Sequence, residues 1–135
     1  MTRRLFAVAL AGGLTALAGC GGGPATVSGT VTYQGKKVVW GGVALVAADG
    51  SAHQATIGRD GTYSIPRVPR GTAKLGVTSP DPFPEGKNGK YEGRYKPPAD
   101  LPDGAWFALP AKFADPLQSG LTVDVGGGSG DLDLK

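Results

Sequence analysis

The sequence predicts an all-β fold, about seven short antiparallel strands packed as a two-sheet sandwich, and three observations carry that expectation. Apolar and polar residues alternate with period two in one stretch after another, the signature of strands with one buried face. Gly and Pro punctuate those stretches, with 24 and 11 among 135 residues and no strict period of the collagen kind. Beyond residue 25 no stretch shows the 3.6-residue periodicity of an amphipathic helix.

Residues 26–33 open the body. Val27, Gly29, Val31 and Tyr33 share one face, and Ser28, Thr30 and Thr32 the other. Gln34-Gly35-Lys36 turns the chain. Residues 43–48, after Gly41-Gly42, are apolar on both faces, as expected of a strand inside a sheet. Asp49-Gly50 marks a hairpin turn, because Gly accepts the positive φ that tight turns demand. A weaker strand over 51–57 leads to Arg59-Asp60-Gly61, which has the same turn chemistry. Tyr63 and Ile65 then alternate with Thr62 and Ser64. Residues 66–71 interrupt, and Ala73, Leu75 and Val77 alternate with Thr72, Lys74 and Gly76. At the far end Leu121, Val123 and Val125 form a strand, and a Gly-rich turn at 126–130 leads to Leu132 and Leu134. The inward set runs from Val27, Val31 and Tyr33 through Val43, Leu45, Ile57, Tyr63, Ile65, Leu75 and Val77 to Leu121, Val123, Val125, Leu132 and Leu134. At about 1.5–3 kcal/mol per large buried side chain, such a set supports one small domain without a disulfide.

Residues 78–109 break the pattern, with six prolines and no strand alternation. Phe83, Tyr91, Tyr95, Trp106 and Phe107 set this stretch apart from a disordered linker. The expectation is an ordered excursion folded over one sheet or one end, with a short edge strand near Trp106.

The N-terminus reads as an address. Residues 1–4 are basic, and 5–17 are apolar with only Thr15 as a mild exception. As a helix those thirteen residues span roughly 20 Å, short of the ~30 Å hydrocarbon core, which favours a signal peptide over residues 1–19. Leu17-Ala18-Gly19-Cys20 then resembles the bacterial lipobox, which implies a lipid on Cys20, cleavage before it, and a membrane anchor. Residues 20–25 form the lipidated Cys and a short Gly-rich tether, and residues 26–135 the domain. Gly rather than Asp after Cys20 resembles the outer-membrane sorting pattern more than the inner-membrane one.

Charge and residue usage bound the chemistry. Removal of Arg3 and Arg4 leaves twelve basic against eleven acidic residues, without the clustered basic face that nucleic acid requires. One Cys and one His do not make a zinc site. His53 is expected to be a partly exposed structural residue. No Gly-x-Ser-x-Gly elbow is present. Asp60, Asp131 and Asp133 carry oxygen ligands of the calcium type, but carboxylates at alternate strand positions ordinarily solvate an outer face. No metal, cofactor or catalytic residue is expected. Trp40, Tyr91, Arg94, Tyr95 and Trp106 are the candidate ligand or partner surface, because flat rings stack on sugars and anchor interfaces.

Ser28-Gly29-Thr30-Val31-Thr32-Tyr33-Gln34-Gly35-Lys36, then Gly41-Gly42-Val43, Asp60-Gly61-Thr62-Tyr63-Ser64-Ile65 and Val68-Pro69-Arg70-Gly71 resemble the carboxypeptidase regulatory-like (transthyretin-like, or prealbumin-like) β-sandwich family. The lipobox, this opening and the late Leu109-Pro110-Ala111-Lys112-Phe113-Ala114-Asp115-Pro116 segment are similar to small planctomycete lipoproteins. The likeness covers nearly the whole mature chain. Lys37 and Trp40 stand where the family's first turn usually carries prolines. The resemblance implies a fold and a surface location, with no catalytic residues. The expected function is thus a lipid-anchored envelope protein whose non-catalytic sandwich is a structural or protein-interaction module. The alternative is a carbohydrate-binding module using the aromatics of 78–109.

Overall fold

The computed structural model describes residues 23–83 and 98–135. The signal peptide, Leu17, Ala18, Gly19 and Cys20 lie outside the described residues, as do Tyr91, Arg94 and Tyr95. The described chain is all-β. It holds eight strands: β1 (Ala25–Tyr33), β2 (Lys36–Lys37), β3 (Gly42–Val46), β4 (Ala52–Thr56), β5 (Thr62–Val68), β6 (Gly71–Thr78), β7 (Leu121–Val125) and β8 (Leu132–Leu134). A single 3-10 turn at Ala111–Phe113 is the one helical element among the described residues. The strand expected near Trp106 is not formed; residues 105–110 run without ladder partners.

The strands make two four-stranded sheets. In the first, β1 is central. One edge pairs with β5 through Ala25–Thr30 and then with β2 at Thr32 and Tyr33. The other edge takes β8, which runs parallel to β1 with Val31 opposite Leu132. The second sheet is antiparallel throughout, in the order β4-β3-β6-β7. Val27, Val31, Ile65, Leu132 and Leu134 from the first sheet and Val43, Leu45, Leu75, Val77 and Val123 from the second belong to one buried core. Tyr33 and Leu121 pack against it only partly buried. Ala73, which alternates with Thr72 and Lys74, joins it, as do Val38, Ala47, Val68 and Phe113, which the inward set did not include.

Four expectations need correction. The eighth strand is β2, which pairs with the end of β1 across Gln34 and Gly35. Both turn residues have positive φ, the type I′ geometry that suits a tight hairpin. The fold is mixed rather than wholly antiparallel, because β7 and β8 belong to different sheets and the 126–130 turn carries the chain between them. The Arg59-Asp60-Gly61 turn likewise joins the two sheets and is not a hairpin. Pro66 does not end its strand: β5 is an edge strand, where a missing N–H costs no ladder bond, and it continues to Val68 with a register shift opposite Ala25 and Val27.

This topology gives the body two distinct ends. At the entry end lie Gly23, the 47–51 turn, Pro69-Arg70 and the 126–129 turn. At the far end lie residues 34–41, the 57–61 turn, Ser79-Pro80, Asp100 and Trp106, while Ala114 and Pro116 return against Gly76 in the outer part of β6. Gly29 and Gly130 let β1 and the 126–130 turn approach closely. A Cβ on Gly29 would stand 2.4 Å from the Gly130 carbonyl carbon. Gly130 in turn donates its N–H to Ser28 O and accepts the Tyr63 hydroxyl on its carbonyl.

Candidate functional site

The two described candidate residues, Trp40 and Trp106, converge at the far end on one short piece of chain, Ser79-Pro80. Trp40 lies two residues after the buried Val38 and precedes Gly41, whose φ of +121° sets its backbone against Thr78 and Ser79. The Trp40 indole donates to Pro80 O at 3.0 Å, and Ser79 Oγ donates to Trp40 O at 2.7 Å. The Trp106 indole donates to Ser79 Oγ at 3.0 Å and Ser79 O at 3.2 Å. Both tryptophans are half-buried. They clasp the point where the excursion leaves β6.

Arg59 completes the cluster. Its guanidinium lies 4.9 Å over the Trp40 ring, and Nη1 donates to Val39 O at 3.2 Å. Nε and Nη2 form a fork on the Asp100 carboxylate, at 3.1 and 3.0 Å. The Arg59 hydrogen bond holds the Asp100 carboxyl below its ordinary range. The Arg59 side chain is 33% exposed and that of Asp100 69%, so water screens the pair and it adds little to stability. Its effect is geometric: it fixes the returning chain beside the departing one. Phe107, next to Trp106, turns instead to Tyr33 of β1 in a stacked contact at 6.0 Å. Residues 106 and 107 thereby bridge the end of the second sheet and the end of the first.

The sequence singled out the two tryptophans but not Arg59, Ser79 or Asp100. Nothing local signals these three, since Arg59 and Asp100 are 41 residues apart and Trp40 and Pro80 are 40. Each indole N–H is engaged within the fold, and Arg59 lies over the Trp40 ring. Structurally, these two aromatics serve as clasps.

His53 stands half-buried on β4 beside Ser51, with Nε2 to Ser51 Oγ at 2.9 Å and Ser51 Oγ to Asp49 Oδ1 at 2.6 Å. The order Asp–Ser–His differs from the hydrolase relay, in which the carboxylate holds the imidazole and the imidazole takes the Ser proton. The Asp49 carboxyl is held low, first by the Ser51 hydroxyl, so it is an acceptor and takes the one Ser proton. His53 then donates to Ser51 and is not placed as its base. The same brace recurs at Asp60, which accepts the Thr62 hydroxyl at 2.7 Å and the Thr62 N–H at 3.1 Å. Both are Asp-Gly-Ser/Thr turns. Asp131 Oδ1 accepts the Thr30 N–H at 2.7 Å, and Asp133 accepts the Thr32 hydroxyl. Among the described residues no three His, Cys, Asp or Glu side chains converge. No helix among them is long and apolar enough to cross a membrane. Comparison with known protein families, with curated proteins and with solved structures finds no match.

Proposed function

We propose that the chain is an exported protein held at the cell envelope by lipid on Cys20. Its two sheets form a transthyretin-like β-sandwich that serves as a non-catalytic structural or protein-interaction module. The observation that carries this is the closeness of anchor and body. The first strand begins at Ala25, directly after Leu17-Ala18-Gly19-Cys20 and a run of three glycines and one proline. A signal sequence, an acylatable cysteine and a β body thus follow one another with no spare chain between them. The single core common to both sheets supports the sandwich arrangement.

Metabolic labelling with an alkyne fatty acid and membrane fractionation test the anchor. The wild type is expected to carry label and to partition with membranes, and Cys20→Ser to lose both; an unlabelled wild type, or a variant still in the detergent-soluble membrane fraction, overturns it. Crosslinking in intact cells then identifies what binds the far end. Retention on purified cell-wall polysaccharide that Trp40→Ala or Trp106→Ala abolishes assigns the cluster to glycan binding instead.

A further inference from the structure

The point where the chain enters the body dictates how an anchored body stands. Ala25 is paired with Val68, and Gly23 O accepts a hydrogen bond from Arg70 Nε at 2.9 Å. The Arg70 guanidinium also lies over Gly126, where a Cβ would stand within 2.2 Å of Nη1. The departing chain is therefore tied to the β5–β6 turn and to the β7–β8 turn at once. Gly23 is three residue steps from Cys20, with Gly21 and Gly22 between them, a reach of roughly 11 Å at ~3.3–3.6 Å per residue. β1 has nine residues and carries the chain about 30 Å to the far end. The far end thus lies well beyond the length of the tether.

The broad faces give the body little to lie on. The outer face of the first sheet carries Ser28, Thr30, Thr62 and Ser64, and that of the second Thr72, Lys74, Thr122 and Asp124. Leu117, 64% exposed, is the one exposed large hydrophobic residue among those described, and it follows Pro116, which lies against Gly76 of β6, so that face offers a bilayer a single leucine. At the entry end Arg67 and Arg70 are exposed beside Asp49 and Asp124, which accept from Ser51 and Thr72. That near balance of charge leaves the tether, rather than attraction to anionic lipid, to set the orientation.

We propose that the body docks end-on against the phospholipid headgroup layer through its Gly23–Arg70 end. This holds the Trp40–Arg59–Asp100 end a strand length above the bilayer, facing macromolecules in the aqueous space. The proposal rests on the lipid anchor at Cys20 and adds its orientation. The chain's two tryptophans are built-in probes, since both sit at the far end. The full-length protein, processed in its own cells, is reconstituted in phosphatidylethanolamine–phosphatidylglycerol vesicles carrying nitroxide headgroups, and tryptophan emission is read in floated vesicles. The wild type is expected to float without loss of emission. A Gly128→Trp variant places a third indole in the entry-end turn, at a site where a Cβ meets nothing within 4 Å. It is expected to lose up to about a third of its emission, the share of the added ring. A floated wild type whose emission falls with nitroxide content overturns the orientation while leaving the anchor standing, and so does an unquenched third indole. Failure to float overturns the anchor, and the orientation with it.

Discussion

Replacing Gly29 by alanine tests the seat of β8 against β1. The added methyl would stand 2.4 Å from Gly130 C and 2.5 Å from both Gly130 O and Asp131 N. All three are backbone atoms, so no rotamer change relieves the overlap. On an open strand a Gly→Ala change adds about 0.4–1 kcal/mol by restricting the unfolded chain. Here the 130–131 backbone must shift, and comparable overpacking costs about 1–3 kcal/mol. The shift also loosens the Gly130 N–H to Ser28 O bond of 3.1 Å and the Tyr63 hydroxyl bond to Gly130 O, each worth about 0.5–1.5 kcal/mol. The net loss is about 2–4 kcal/mol, a fall in melting temperature of roughly 10–20 °C for a domain of this size. Thermal melts followed by circular dichroism at pH 7 measure it, with Gly128→Ala as a control expected within about 0.5 kcal/mol of wild type. A Gly29→Ala protein that melts at or above the wild-type temperature, with the control behaving as expected, refutes the seat.

Three further outcomes follow from particular contacts. The Tyr63 hydroxyl, pushed up to about 12 by burial and then by the neighbouring Asp131, stays protonated where an unfolded chain ionises near 10. Unfolding free energy should therefore hold below pH 10 and fall between about 10 and 12; a flat profile there, or an ordinary tyrosine absorbance titration in Tyr63→Phe minus wild-type difference spectra, removes the buried hydroxyl from the account. Ser79→Ala takes away the hydroxyl shared by Trp40 O and the Trp106 indole and should cost about 1–2 kcal/mol, with a red shift in tryptophan emission. Unchanged emission counts against the clasp. At low pH, Asp49, Asp60, Asp100 and Asp131 all have carboxyls held below their ordinary value, by Ser51, Thr62, Arg59 and the Thr30 N–H respectively. The stability they add is present above the ordinary carboxyl range and is lost as pH falls beneath it, so denaturant midpoints should decline only on the acid side of about pH 4.

Much of the fold was legible because a half-buried strand writes its two faces directly into residue order. Val27-Ser28-Gly29-Thr30-Val31 and Thr72-Ala73-Lys74-Leu75 needed nothing beyond period two. The Asp-Gly turns were legible for a local reason as well, since both Asp49 and Asp60 brace the residue two positions on. What alternation leaves open is which strand lies alongside. Asp60-Gly61 has the chemistry of a hairpin turn, yet it passes between sheets, and the Gly-rich 126–130 turn does the same. Pro66 hid the end of β5 and with it the buried Val68, because an edge position is a property of the sheet and not of the residue. The Arg59–Asp100 fork and the Ser79 clasp were beyond reach for a related reason. They join segments 27 to 41 residues apart, and their residue types are ordinary in any loop.

The placement of β8 has a consequence for how the molecule is made. β1 and β8 lie side by side, with Thr30 bonded to Asp131 across 101 residues. A growing chain thus delivers β1 long before β8, leaving a bare backbone edge until β8 emerges. Closing so long a loop is slow, so this sheet waits on β8, and a chain stopped short of β8 keeps an unsealed margin open to wrong partners.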